Sequence, residues 1–211
     1  MVNENIKGAL FDLDGVIVDT AKYHYLAWKR LAEELGFEFT QEHNEKLKGV
    51  SRMRSLEILL EVGGISSTEE EKLAMAEKKN NWYVEYIKEM DESEILKGAR
   101  EYLLKLRDQG KKIALGSASK NAPVILKNLG ITELFDAIID GNKVSKAKPD
   151  PEVFLLGARE LGLSPADCVV YEDAEAGIEA AKRAGMGTVG IGSRDILKEA
   201  DVVVKGLYEL L

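Results

Sequence analysis

Residues 9–20 read ALFDLDGVIVDT: a short apolar run, Ala9-Leu10-Phe11, then two aspartates, Asp12 and Asp14, separated by one leucine. The run has the length and bulk of a buried strand. Two carboxylates at its end repel one another, and burying either one unpaired is costly. The pair therefore needs a positive partner or a chemical task. Outward from this strand the chain repeats one texture. Short apolar runs recur as KIALGSAS (112–119), AIID (137–140), CVVYED (168–173), TVGIG (188–192) and DVVV (201–204). Between and before them lie helical patterns that end in glycine: AREYLLKLRDQG (99–110), APVILKNLG (122–130), DPEVFLLGARELG (150–162) and AEAGIEAAKRAG (174–185). Strands alternating with helices of this length predict an α/β fold with a doubly wound parallel sheet.

The stretch from about Asp19 to Ile95 breaks that rhythm, because it contains no strand pattern. It reads as helices: AKYHYLAWKRLAEELG (21–36), EHNEKLKG (42–49), SRMRSLEILLEVGG (51–64) and STEEEKLAMAEKKNNWYVEYIKEM (67–90). Leu26, Leu31 and Leu35, with Trp28, give the first of these a mainly one-sided apolar face. STEE opens the last with acidic residues in its first turn. The expected organisation is an α/β core of 1–18 and 97–211, interrupted by an inserted α-helical cap domain over 19–96.

Composition narrows the function classes. The chain has 211 residues, a net charge of -8 and a pI near 5.0. That balance argues against general affinity for nucleic acid or an anionic membrane. The one cysteine, Cys168, cannot form an internal disulfide and lies in the apolar run CVVY, so it reads as a core residue. No run approaches the ~20 apolar residues of a membrane span, and MVNENIKG lacks a signal-peptide core. A cytoplasmic protein is expected. His43, in the polar stretch TQEHNEK, reads as solvent-exposed.

Four stretches stand at or just after predicted strand ends: DLDG (12–15), GSASKN (116–121), KAKPDP (146–151) and YEDAEAG (171–177). In a doubly wound sheet they converge on one rim, where ligands bind. Asp12, Asp14, Glu172 and Asp173 together would be strongly anionic, and a hard divalent cation such as Mg²⁺ answers that charge. Ser117 offers a hydroxyl for phosphate, and Lys148 a counter-charge for a phosphorylated carboxylate. These are the parts that phosphoryl transfer requires: a nucleophile, an acid/base, a metal, a phosphate cradle and a cation.

DLDG, a serine ending an apolar strand, a KP lysine and EDAEAG, in that order, resemble the haloacid dehalogenase superfamily of phosphotransferases over essentially the whole chain. The resemblance implies Asp12 as a nucleophile that becomes an aspartyl phosphate. It implies Asp14 as general acid/base with its backbone carbonyl on Mg²⁺, Ser117 on phosphate, Lys148 steadying charge, and Asp173 with Glu172 on the metal. Lys148 directly precedes the proline and is chosen over Lys146. The true dehalogenases of the superfamily lack the second aspartate, so this chain does not fit them.

TAKYHYLAWKRLAEELG, LKGVSRMRSLEILL, KKNNWYV and GSASKN further resemble the sugar-phosphomutase branch of that superfamily. That resemblance implies that His24 helps position Asp14 and that Thr20 sits at the hinge between core and cap. It implies that Arg52 clamps the phosphate remote from the reacting group. Trp28, Leu47, Gly49, Val50, Ser55 and Lys79 shape the sugar pocket, and Ala118, Ser119, Lys120 and Asn121 join Ser117 on the core side. The implied reaction interconverts β-glucose 1-phosphate and glucose 6-phosphate, with β-glucose 1,6-bisphosphate as intermediate and activator, in a monomer acting on a small phosphosugar. Beside it stand a phosphatase of the same superfamily, acting on sugar phosphates or other small phosphomonoesters, and a non-catalytic phosphosugar-binding protein. Among single residues, Trp28 also fits the cap core, Lys79 a charged helix face in EKKNN, and Thr20 a plain helix cap. Arg54 reads as a solvated helix charge.

Overall fold

The computed structural model describes residues 6–47 and 51–211. The chain divides into two compact units: Met1–Asp19 with Met90–Leu211, and Thr20–Glu89.

In the first unit β1 (Gly8–Phe11), β2 (Lys112–Gly116), β3 (Ala137–Ile139), β4 (Cys168–Glu172), β5 (Gly187–Ile191) and β6 (Val202–Val204) form one sheet. Its order is β3-β2-β1-β4-β5-β6 and every pairing is parallel. The expected doubly wound sheet therefore forms, and its central strands β1 and β4 are buried on both faces, which is why they read as unbroken apolar runs. The chain winds from β1 out to β3, then jumps back so that β4 lies against the other side of β1. This makes the carboxyl ends of β1 and β4 the point where successive connections diverge.

Alternate side chains of these strands serve opposite faces. Leu10 and Val170 join Phe154 and Ala158 of α7 (Glu152–Leu161) in the core cluster, to which Ala180 and Ala181 of α8 (Glu175–Arg183) and Cys168 also belong. Phe11 and Tyr171 turn the other way and stack at 4.4 Å, with their rings 7° from parallel. Tyr102 of α5 (Ala99–Asp108) meets both edge-on, and its hydroxyl lies 2.7 Å from that of Tyr171. Truncating a fully buried residue such as Leu10 in this setting costs about 2–5 kcal/mol. The remaining helix of this unit, α6 (Ala122–Asn128), follows β2. The segment after Met90 returns to the first unit, where Ile95 bridges Val18 and the Leu96 N–H donates to the Ile17 carbonyl.

The second unit consists of α1 (Ala21–Glu34), α2 (Gln41–Glu45), α3 (Arg52–Gly63) and α4 (Glu69–Lys88). Thr68 caps α4 through a reciprocal pair with Glu71, as the STEE signal indicates. The face of α1 differs from the one read from its leucines. Ala27, Trp28, Leu31 and Ala32 are buried, whereas Leu26 is 46% exposed. Residue 26 is five positions from 31, about 140° around the helix at 3.6 residues per turn, so both cannot serve one narrow face. His43 is half-buried rather than solvated. Its Nδ1 accepts from the Thr40 N–H while the Thr40 hydroxyl accepts from the His43 N–H, which closes the first turn of α2. Among the described residues no helix is long and apolar enough to cross a membrane.

Candidate active site

Asp12 immediately follows β1, and its N–H donates to the Tyr171 carbonyl at 2.9 Å. The parallel register that pairs Phe11 with Tyr171 thus brings Asp12 beside Glu172 at the end of β4. The cation for this buried pair is Lys148, whose Nζ lies 2.5 Å from Asp12 Oδ1 and 2.8 Å from Glu172 Oε2. Asp12 and Glu172 are 7% and 1% exposed. Burial pushes the Asp12 carboxyl up to about 6, a rise that Lys148 restrains and Glu172 reinforces. Burial raises Glu172 as well, against the pull of Lys148. For Lys148 itself burial opposes the charge, but Asp12 and Glu172 outweigh it and hold the ammonium above the ordinary lysine range. Lys146, the other lysine considered, points away and pairs with Asp150 at 3.4 Å.

Asp12, Glu172 and Asp173 each offer a carboxylate oxygen within 4.8 Å of the others. Asp173 is the exposed member, yet desolvation and the neighbouring Asp12 charge bring its carboxyl up to about 6. An all-oxygen, mainly carboxylate donor set of this kind suits a hard cation such as Mg²⁺. The Asp14 side chain is not in this group, and the part implied for Asp14 used its backbone carbonyl. Glu172 is already committed: Oε2 accepts from Lys148, and Oε1 accepts from the Ala174 N–H at 3.1 Å. It orients Lys148 at least as much as it offers itself to a metal.

Two glycines make room for these carboxylates, and the sequence reading passed over both. Gly15 sits at φ +74, where a Cβ would stand 2.1 Å from Asp173 Oδ2. A Cβ on Gly177 would stand 2.0 Å from the Glu172 carboxyl. Their signal lay within DLDG and EDAEAG, where small residues let a side chain lie against backbone.

At the end of β2, Ser117 is buried and its N–H donates to the Ile139 carbonyl. Its Oγ accepts from the Ser119 N–H at 3.1 Å, and the Ser119 Oγ accepts from the Asn121 N–H at 3.3 Å. Ala118 and Lys120 are exposed, and Ser119 and Asn121 half-buried, so this loop presents hydroxyls, an amide and an ammonium.

In the helical unit, Lys79 is 2% exposed, which removes the charged-face reading. Its Nζ lies 2.8 Å from His24 Nδ1 and 4.5 Å from the centre of the Trp28 ring. Its neighbour Lys78 is the solvated one, pairing with Glu34. Burial, then the Arg52 charge, lowers the Lys79 ammonium to about 7. Burial and the charges of Lys79 and Arg52 hold His24 well below the ordinary histidine range. Arg54 is tied to Glu57 and Glu61 of its own helix, and among the described residues no carboxylate pairs with Arg52. Ser55, Leu47 and Trp28 are buried. Thr20 is fully buried at the N-cap of α1, but its side chain makes no cap hydrogen bond, so capping does not explain it. Gly49 and Val50 lie outside the described residues.

Lys79 carries a pH signature. Between about pH 7 and its unfolded value near 10.5 the folded chain has released a proton that the unfolded chain still holds. Stability therefore rises with pH over that window, by up to about 1 kcal/mol per pH unit. Chemical denaturation from pH 6 to 9 is expected to show this rise in the wild type. Lys79→Met is expected to lack it, and equal slopes in the two proteins would contradict the assignment.

A buried aspartate, lysine and glutamate at the switch point of a doubly wound sheet, with a hydroxyl-lined loop on the next strand, are groups of the kind that phosphoryl transfer requires. Residues 6–185 match the family model of haloacid dehalogenase-like hydrolases, and the chain belongs to that family. Within it, the chain is 45% identical to β-phosphoglucomutase of Bacillus subtilis over 97% of this chain and 92% of that protein. The structure of β-phosphoglucomutase from Clostridium difficile superposes with a TM-score of 0.88 at 47% identity, covering 98% of this chain and 93% of that one. A phosphorylated carbohydrates phosphatase of Thermotoga maritima is 33% identical over 86% of this chain and 82% of its own length. Membership in this family implies dependence on Mg²⁺, which the donor set fits.

Proposed function

We propose that this protein is a Mg²⁺-dependent sugar phosphomutase interconverting β-glucose 1-phosphate and glucose 6-phosphate. The observation that carries the reading is the 45% identity to the Bacillus enzyme over 97% of the chain. In the cycle, phospho-Asp12 transfers its phosphoryl group to the 6-hydroxyl, whose proton passes to the Asp14 carboxylate. The products are β-glucose 1,6-bisphosphate and free Asp12. The bisphosphate turns around, Asp12 attacks phosphorus at the 1-position, and the C1 oxygen leaves with the proton returned by Asp14. Lys148 balances the charge on Asp12 at each stage, and Glu172 holds Lys148 in place. Mg²⁺ bound at Asp12 and Asp173 would neutralise charge on the transferring group. Ser117, Ala118, Ser119, Lys120 and Asn121 take the core-side phosphate–sugar unit. Arg52 supplies a guanidinium fork for the remote phosphate, with Trp28, Leu47, Gly49, Val50, Ser55 and Lys79 around the sugar. Thr20 and His24 assist Asp14. A cytoplasmic monomer is the form this reading assigns.

The test is supply of β-glucose 1-phosphate with Mg²⁺ and catalytic β-glucose 1,6-bisphosphate, following glucose 6-phosphate and free phosphate together. Glucose 6-phosphate without matching phosphate release is expected. Chiefly free phosphate would instead assign a phosphatase like the Thermotoga relative. Arg52→Ala is expected to slow the mutase reaction by roughly 10²-fold and hydrolysis far less, since only the mutase must hold a bisphosphate by either end. Unchanged mutase turnover would remove Arg52 from the site.

A further inference from the structure

Tyr83 has no part in the expectations read from sequence, yet the candidate groups of the helical unit meet on its ring. His24 and Trp28 are four residues apart on α1, and Lys79 and Tyr83 four apart on α4, so each pair shares one helix face. The two faces meet. The Tyr83 ring lies 4.0 Å from the His24 imidazole, 16° from parallel. The Lys79 ammonium lies 5.0 Å from the Tyr83 centroid and 4.5 Å from that of Trp28, both within cation–π range. His24 Nδ1 and Lys79 Nζ are 2.8 Å apart, and Tyr83 itself is 1% exposed.

We propose that Tyr83 is a positioning residue, whose ring holds the His24 imidazole in the one orientation that keeps Nδ1 on Lys79. The proposal rests on the reading that His24 and Lys79 serve the phosphomutase site. A near-parallel stack leaves the imidazole free to slide but not to tilt, and the cation over both aromatic rings fixes where Nδ1 finds its partner. An ammonium only donates, so Nδ1 accepts and the ring proton resides on Nε2. Nε2–H is then a donor of preset direction. The charged groups facing His24 are Lys79 from α4 and Arg52 from α3, both cationic, and with burial they keep the ring neutral. Tyr83 adds what charge cannot, which is the orientation.

The experiment is ¹⁵N NMR of histidine-labelled protein without substrate, from pH 5.5 to 8, beside mutase kinetics. The chain has only two histidines, so His43 is the internal control. Below about pH 7, where Lys79 is an ammonium, wild type and Tyr83→Phe, which keeps the stack, are expected to show His24 neutral with its proton fixed on Nε2. Tyr83→Leu is expected to show mixed tautomers and a titration moved up toward the ordinary histidine value. Its kcat/KM is expected to fall roughly tenfold or more, with phenylalanine restoring it. Tyr83→Met serves the same comparison should the leucine variant not fold. A folded Tyr83→Leu or Tyr83→Met protein with unchanged His24 signals would overturn the proposal. The NMR arm needs no turnover, so wild-type protein with the expected spectra but no mutase activity would remove the functional reading and leave the positioning role standing.

Discussion

Replacing Lys148 by methionine is expected to cost both activity and stability, each by a large factor. Lys148 is the cation between two buried carboxylates, at 2.5 Å from Asp12 and 2.8 Å from Glu172, and its own side chain is only 12% exposed. Removing one partner of a buried ion pair leaves the other charges unpaired in a poorly solvated place, a loss of about 3 kcal/mol or more. The methionine keeps most of the volume over Phe154, whose ring centre lies 4.9 Å from the ammonium, so packing is not what is lost. Mutase turnover is expected to fall by roughly 10³-fold, because developing charge on Asp12 loses its counter-charge. Urea denaturation and steady-state kinetics on one preparation check both halves. A variant as stable as wild type would mean that the Asp12–Lys148–Glu172 group does not hold the rim of the sheet together.

Asp12→Asn should give the opposite pairing of effects. The amide keeps the shape of the carboxylate, its oxygen can still accept from Lys148, and Lys148 retains Glu172. One buried negative charge disappears from the neighbourhood of Glu172 and Asp173, so stability is expected to hold or rise slightly. Activity is expected to drop by roughly 10⁴-fold or more, since an amide oxygen does not form the phosphoenzyme. Intact-protein mass spectrometry after exposure to β-glucose 1,6-bisphosphate is the direct measurement. Wild type should gain the mass of one phosphoryl group, and Asp12→Asn should gain none. A phosphorylated Asp12→Asn protein would move the nucleophile elsewhere.

Local reading recovered the parts whose physics is local. The strand runs stand where the apolar blocks fall, because strands buried on both faces have no polar period to obscure them. Cys168 is a core residue, as its apolar neighbours indicate. The acidic pair at 12 and 14 calls for a positive partner or a chemical task, and Asp12 has such a partner in Lys148. What failed depended on neighbours distant in the chain. The leucine spacing puts Leu26 on the apolar face of α1, but α1 packs against α4 and buries Ala27, Trp28, Leu31 and Ala32 while Leu26 stays exposed. In EKKNN, Lys78 and Lys79 are adjacent and chemically identical; one meets Glu34 at the surface and the other enters an aromatic cage. Helix geometry turns neighbours 100° apart, and only the packing partner decides which of them is buried.

The sequence by itself determined the alternation of strand and helix and the helical stretch after the first strand, and it placed carboxylates, a lysine and a serine at predicted strand ends. Each follows from properties that a residue carries wherever it is placed: bulk, charge, backbone freedom. Tertiary structure alone decided that β4 lies against β1, so that Asp12 and Glu172, 160 positions apart, share one ammonium. It also decided that Tyr83 lies against His24. The reason is the same in both cases. Buried charges and stacked rings take their energy from a partner brought close by the fold, and no spacing along the chain records that distance.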